Sequence, residues 1–218
     1  MLPGKPFDAA SRWDRSWAAL GLPAPAPAVR DQVIAAYRAP DLAYHSLQHL
    51  GECFERLDEA GELATAAGTS GGEVAVALWF HDAVYDTRRS DNEQASATWA
   101  SEVLRGAGAA PDIVRRIERL ILATRHDLPP ETPAEALLVD IDLAILGAVP
   151  ARYDEYERQI RAEYAGVPAP DFRAGRDAVL ERFLSRPFIY STAPFRARFE
   201  AAARRNLERA RRALAGAA

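Results

Sequence analysis

Two histidines stand four residues apart in a short polar segment. The segment reads Tyr44-His45-Ser46-Leu47-Gln48-His49. On a helix, residues i and i+4 lie on the same face one turn apart, so both imidazoles can point at one place. Such a pair can bind a metal ion, and it can equally belong to a polar surface stripe.

A histidine and an aspartate interrupt an apolar stretch further on. His81 and Asp82 follow Leu78-Trp79-Phe80 and precede Ala83-Val84. An unpaired aspartate buried there would cost several kcal/mol, so it must be paired or must bind a metal ion. Imidazole and carboxylate are good ligands for Zn, Fe, Mn or Ni. The alternative is a buried His-Asp pair that holds helices together.

Two further aspartates, Asp140 and Asp142, interrupt the apolar run from Leu137 to Leu146. On a helix they lie about 200° apart, so both cannot face the same site. We prefer Asp142 as a ligand, because it leaves Ile141 and Ile145 free for packing. Either aspartate could instead pair with a buried arginine.

One site would satisfy all three polar clusters together. A divalent ion held by His49, His81, Asp82 and Asp142 would be neutralised by two carboxylates and would keep open positions for water and a phosphate oxygen. Such an ion lowers the pKa of bound water and polarises a phosphoryl group. Nitrogen and oxygen ligands accept Mn, Fe, Ni, Zn or Mg, so the sequence does not select among these ions.

The order of these residues resembles the HD superfamily of metal-dependent phosphohydrolases. Further segments resemble a bacterial subfamily of predicted HD phosphohydrolases: Tyr44–His49, Phe80–Asp86, Asp91-Asn92-Glu93 with Ser96-Ala97, Asp140–Gly147 and Arg186–Tyr190. The resemblance covers nearly the full length. It implies an all-α fold with the metal near its centre, and hydrolysis of a phosphate ester or anhydride of a small nucleotide-like molecule.

The resemblance also implies catalytic roles for two residues. The Tyr44–His49 segment is similar to one in cyclic-nucleotide phosphodiesterases, which makes His45 the general acid and His49 a ligand. The residues from His81 onward look like a segment of alarmone hydrolases, in which a Glu-Asp pair positions the water. Tyr85 stands where that glutamate would be, so the resemblance assigns the water-positioning role to Asp86 alone.

Weaker predictions concern the substrate side of the site and one further ligand. His126 could bind phosphate or a second metal, or could be a helix C-terminal histidine favoured by the dipole. Glu93 is a first-turn acid of its helix or a partner of a ligand histidine. Arg125 could hold a phosphate. Cys53 continues the face of His49 by one turn, as a soft ligand or as a small buried residue.

Helix formers and breakers predict the elements that position these residues. We find no alternating strand pattern, and Pro and Gly divide the chain into about ten helices. We therefore predict an all-α helical bundle forming one domain over residues 1–218, and the resemblance implies that this bundle is of the HD type. The expected helices cover residues 7–20, 28–38, 44–67, 73–84, 92–106, 111–126, 132–146, 151–164, 171–186 and 194–218, and residues 68–72 form a loop.

The composition of the chain limits the classes of partner that it can bind. A net charge of -4 over 218 residues gives no field that would attract nucleic acid or an anionic membrane, and the single cysteine cannot form an internal disulfide. We expect a cytoplasmic protein that acts on a small phosphorylated molecule and binds neither nucleic acid nor membrane. Its oligomeric state stays open.

Two rival functions fit the same residues. The first is a di-iron oxygenase on this fold, which would need more histidines between Asp82 and Asp142. Only His126 lies in that interval, so we expect one ion. The second is a non-catalytic module that binds a nucleotide and regulates a partner.

Overall fold

The computed structural model describes residues 7–61 and 71–216, and these ranges contain helices and turns but no strand. Ten α-helices longer than one turn confirm the predicted all-α class and the expected number of helices. They are α1 (Ala9–Leu20), α2 (Pro27–Ala36), α3 (Leu47–Glu59), α4 (Gly71–Phe80), α5 (Asn92–Gly106), α6 (Pro111–Ala123), α7 (Pro133–Asp142), α8 (Pro150–Glu163), α9 (Ala169–Leu184) and α10 (Ala201–Gly216). The HD type and the single domain stay predictions.

The chain divides into two compact units, Met1–Leu138 and Val139–Ala218. The division falls inside α7. None of the helices in the described ranges combines the length and the apolar character that a membrane span requires.

Helix α4 is the centre of the first unit. Every residue from Gly72 to Phe80 is buried, and α4 packs against α1, α3, α5 and α6. A helix that is apolar on all sides must be surrounded by other helices, so its sequence already predicts this central place.

Helix α1 packs closely on α4 through aromatic side chains. Trp13 and Trp17 are 1% and 0% exposed. The rings of Trp13 and Trp79 meet edge to face with their centroids 5.2 Å apart. The indole Nε1–H of Trp79 donates to the hydroxyl oxygen of Ser16 at 3.1 Å. The contact fixes α4, and with it the residues that follow Phe80.

Among the predicted helix boundaries that differ from the structure, two change the surroundings of the histidine motifs. Helix α3 begins at Leu47 rather than Tyr44, because Ser46 is extended with φ -120° and ψ 179°. Helix α4 ends at Phe80 rather than Val84. The hydroxyl of Ser96 accepts the Val84 N–H at 3.0 Å and so replaces a helical bond. Of the expected third helix and the loop after it, residues 62–70 lie outside the described residues.

The second unit contains α8, α9, α10 and a 3-10 turn, Leu143–Gly147, that directly follows α7. The Asn206 side chain of α10 donates to the carbonyls of Leu146 and Ala148, both at 2.9 Å. Ahead of α10 the chain forms a helical turn, Ala193–Phe195, and a π-helical segment, Arg196–Glu200. Proline at the first turn of α8 and α9 starts each helix without losing a hydrogen bond.

We predict that Gly72→Ala destabilises the first unit. A Cβ atom at Gly72 would lie closer than 3.0 Å to backbone atoms of Ala19 and Leu20, which cannot move without shifting α1. Overpacking of this kind costs about 1–3 kcal/mol or more. Urea unfolding measures the loss. Gly71→Ala is the control, since a Cβ there meets nothing within 4 Å. Equal stability of the two variants would contradict the close approach of α1 and α4.

Candidate metal centre

Helix α3 and the turn after α4 bring three predicted ligands together. The Nε2 atoms of His49 and His81 lie 3.1 Å apart. The Asp82 Oδ2 atom lies 3.0 Å from His81 Nε2 and 3.4 Å from His49 Nε2. The structure thus gathers three of the four residues that the sequence predicts as ligands, and all three belong to the first unit.

The end of α4 fixes the orientation of His81. Its Nδ1 atom lies 2.8 Å from the carbonyl oxygen of Leu78. That carbonyl belongs to the last turn of α4 and can only accept a hydrogen bond. The proton of neutral His81 therefore sits on Nδ1, and the lone pair on Nε2 faces His49 and Asp82.

Interactions with the neighbouring histidines keep Asp82 ionised despite its burial. His49 and His81 are 2% and 1% exposed, while the Asp82 side chain is 15% exposed. Burial raises the pKa of the Asp82 carboxyl, but the positive charges that His81 and His45 carry when protonated, together with hydrogen bonds from protonated His49 and His81, outweigh burial. The net pKa lies well below its ordinary value. A carboxylate therefore faces the two imidazoles.

Tyr37 supports this cluster from α2's C-terminal end. Its hydroxyl accepts the Asp82 backbone N–H at 3.3 Å and donates to the Leu78 carbonyl at 3.4 Å. Burial, reinforced by the charge of Asp82, raises the pKa of Tyr37 well above its ordinary value. Tyr37 therefore stays protonated and positions the turn that carries Asp82.

The three ligand atoms fit one small divalent ion. Ligands bound at about 2.1 Å stand about 3.0 Å apart around an octahedral ion and about 3.4 Å apart around a tetrahedral one. The observed separations of 3.0, 3.1 and 3.4 Å span these values. Two imidazoles and one carboxylate are also the ligands of many non-haem iron sites, which keep open positions.

Cys53 lies beside the same histidines, one turn after His49. Its Sγ atom is 3.7 Å from both ring nitrogens of His49, and its side chain is buried. The ligand atoms of His49, Cys53 and His81 all lie within 4.8 Å of one another, so this buried group could hold a metal ion. Both predictions for Cys53, a soft metal ligand and a small buried residue, stay open, because the residue is buried and lies within reach of an ion.

His45 is positioned by a turn rather than by α3. The expected shared helix face with His49 is therefore wrong, although the two ring centroids lie only 6.1 Å apart. The His45 ring stacks on Tyr85 with a centroid distance of 3.6 Å and an interplanar angle of 21°. The Tyr44 ring packs edge-on against His45 with their centroids 4.9 Å apart. The contact by which Tyr85 orients His45 was not predicted from the sequence.

Asp86 organises the turn that follows the cluster. Its carboxylate accepts the backbone N–H of Arg88 at 2.9 Å and pairs with the Arg88 guanidinium at 2.8 Å. The Asn92 side chain bonds both the N–H and the carbonyl of Asp86. The hydrogen bonds from Arg88 lower the pKa of the Asp86 carboxyl to about 2. At neutral pH Asp86 is therefore a weak proton acceptor.

The two aspartates of α7 differ in their burial and in the hydrogen bonds described for them. Asp140 is fully buried. Its two carboxylate oxygens accept the backbone N–H groups of Ser191 and Thr192 at 2.6 and 2.7 Å. Burial raises the pKa of Asp140, and these hydrogen bonds oppose the rise. Asp140 thus has a structural role, with backbone amides instead of the arginine that the sequence suggested, whereas Asp142 is only half-buried.

The three predicted substrate contacts have other local roles as well. Glu93 lies in the first turn of α5, as expected. Arg125 forms an ion pair with Asp127 at 3.2 Å. His126 ends the segment after α6 with φ 57°, a left-handed conformation rare for residues other than glycine.

Comparison of the chain with protein families, with curated proteins and with solved structures gives no match. The resemblance to the HD superfamily therefore rests on the motifs and their order.

We predict that Co²⁺ binds with one ion per chain and that His49→Ala or His81→Ala lowers its affinity at least about a hundredfold. Loss of a group that merely supports a ligand already costs 10–100-fold. Calorimetry measures binding, and a near-ultraviolet sulfur-to-cobalt band would show Cys53 bound. His126→Asn is the control, because asparagine tolerates the left-handed backbone. Unchanged affinity in both alanine variants would exclude this centre.

We also predict that Asp140→Asn destabilises the second unit by about 2–3 kcal/mol, because an amide cannot accept from both N–H groups through two oxygens. Asp142→Asn, the same change two residues later in α7, should cost less. Urea unfolding without added metal compares the two. An equal or larger loss in Asp142→Asn would contradict the structural role of Asp140.

Proposed function

We propose that this protein is a metal-dependent hydrolase of a phosphate ester or anhydride, of the HD superfamily type. The observation that carries the proposal is the convergence of His49 Nε2, His81 Nε2 and Asp82 Oδ2 within 3.0 to 3.4 Å. These atoms come from separate parts of the first unit, and their identity and order match the motifs that resemble HD phosphohydrolases.

Charge balance supports Asp142 as the fourth ligand. Asp82 supplies one negative charge, so a second carboxylate is needed to neutralise a divalent ion. Of the two aspartates in α7, Asp140 is already committed to the N–H groups of Ser191 and Thr192. Asp142 therefore remains the better candidate. A divalent ion bound there would activate water and polarise the phosphoryl oxygen.

His45 is our candidate for the general acid. Stacking on Tyr85 holds the plane of its ring, and the side chain is only partly buried. A substrate oxygen can therefore approach it. The role requires a proton at a ring nitrogen that passes to the leaving oxygen as the phosphorus–oxygen bond breaks.

Asp86 fits an orienting role better than that of a base. With a pKa of about 2, its carboxylate holds a water by accepting a hydrogen bond without taking the proton. The nucleotide-like substrate is the part of the proposal that rests on the resemblance. Contacts to it by His126, Glu93 and Arg125 also remain proposals.

Metal analysis followed by phosphate release tests the proposal. We expect one divalent ion per chain and release of phosphate from at least one nucleotide or other small phosphate compound when Mn²⁺ is added. His81→Ala and Asp82→Asn should lower turnover at least about a hundredfold, because ligand loss removes both the ion and its charge. Glu55→Gln, an exposed change on α3, is the matched control and should keep full activity.

Two outcomes would decide against this function, and a third would change its ligand set. Two irons per chain with oxygen consumption would favour the di-iron oxygenase. Nucleotide binding without turnover, even with metal restored, would favour the regulatory module. Unchanged Co²⁺ affinity and turnover in Asp142→Asn would remove Asp142 from the ligand set and leave the rest of the site intact.

A further inference from the structure

A second candidate site lies wholly within the second unit. A pocket of about 380 Å³ is bordered by α8, α9 and α10, and small-molecule pockets in proteins measure about 300–1,000 Å³. Its apolar lining includes the aromatic rings of Tyr153 and Phe172 and the side chain of Leu214. Such a lining suits a flat or aliphatic apolar group.

One polar atom of this lining lacks a partner. Tyr153 is fully buried, and its hydroxyl makes no hydrogen bond of good geometry with any residue that the structure describes. Burial raises the pKa of that hydroxyl, and the neighbouring carboxylate of Glu157 raises it further, so the group stays protonated. A buried hydroxyl without a partner costs about 1–3 kcal/mol. An acceptor atom on a bound molecule would relieve that cost if the side chains that cover the hydroxyl shifted to admit it.

Both carboxylates of the pocket wall are already neutralised. Glu157 receives two hydrogen bonds from Arg176, at 2.6 and 3.1 Å. Asp154 forms an ion pair with Arg209, which also covers the Tyr153 ring at 5.8 Å. Neither acid is therefore available to balance further positive charge.

Three arginines of the wall keep their charge. Arg158 and Arg173 line the pocket from α8 and α9, and neither makes an ion pair with any residue that the structure describes. Arg161 donates to the backbone carbonyls of Tyr164 and Val167, at 2.6 and 3.2 Å, which hold it without neutralising it. Its guanidinium lies 4.8 Å above the Phe172 ring.

From this combination we propose that the pocket binds a small molecule with an apolar, ring-sized body and one anionic head group. The body packs against Phe172 and Leu214, and the head group is bound by Arg158 and Arg173. Arginine suits this role because its planar donors match the oxygens of carboxylate or phosphate. This inference is independent of the proposed hydrolase activity.

Calorimetry with three probes separates charge from shape. 1-Naphthoate carries both the ring system and the anion, 1-naphthamide carries the ring system without charge, and acetate carries the anion alone. We expect 1-naphthoate to bind at least about tenfold more tightly than either of the others. Equal binding of naphthoate and naphthamide, or no naphthoate binding at millimolar concentration, would overturn the proposal.

Variants then locate the binding. Arg158→Gln and Arg173→Gln should each weaken naphthoate at least about fivefold and leave naphthamide unchanged. Ala210→Trp, which fills the pocket, should abolish both. Arg205→Gln is the control, because this exposed arginine of α10 does not line the pocket. Thermal unfolding shows whether each variant folds. Full naphthoate affinity in both arginine variants of the pocket would place the binding elsewhere and reject the site.

Discussion

The hydrogen bond between His81 Nδ1 and the Leu78 carbonyl is the interaction on which the candidate metal centre depends. It uses a carbonyl that the end of α4 leaves without a helical partner, and it thereby fixes which nitrogen of His81 carries the proton. The free lone pair then points at His49 and Asp82. Without this bond the imidazole could rotate or change tautomer, and three acceptor atoms would not converge.

The position of that bond depends on the tight packing of α4. Its residues from Gly72 to Phe80 are buried, and Trp79 is fixed to α1 by its bond to Ser16. Because the tightly packed central helix ends at a polar turn, its buried apolar residues are followed directly by the polar groups of the candidate metal centre. Tyr37 joins the two, since it contacts both Leu78 and Asp82 through one hydroxyl.

The second unit uses its polar groups differently. Asp140 binds two backbone amides of the segment before α10, while Arg158 and Arg173 keep uncompensated charge at the wall of a pocket. A buried carboxylate with both oxygens satisfied has little capacity left for an ion. Arginines that make no ion pair around an apolar pocket keep their capacity to bind an anionic ligand.

The sequence by itself determined the all-α class, the central place of α4 and the identity of the three candidate ligands that lie together. These follow from local rules: helix formers and breakers, an apolar run with no polar face, and the cost of burying an unpaired aspartate. It also indicated that Asp140 and Asp142 must have different roles, because their spacing separates them on a helix.

Only the tertiary structure decided the role of Asp140, because its partners lie about fifty residues further along the chain. It likewise revealed that Ser96 helps to end α4 early, that Tyr85 orients His45, and that Arg88 lowers the proton affinity of Asp86. Each of these depends on a contact between residues that helical periodicity does not relate. Spacing along one helix predicts which side chains share a face, whereas packing between elements decides which atoms those side chains meet.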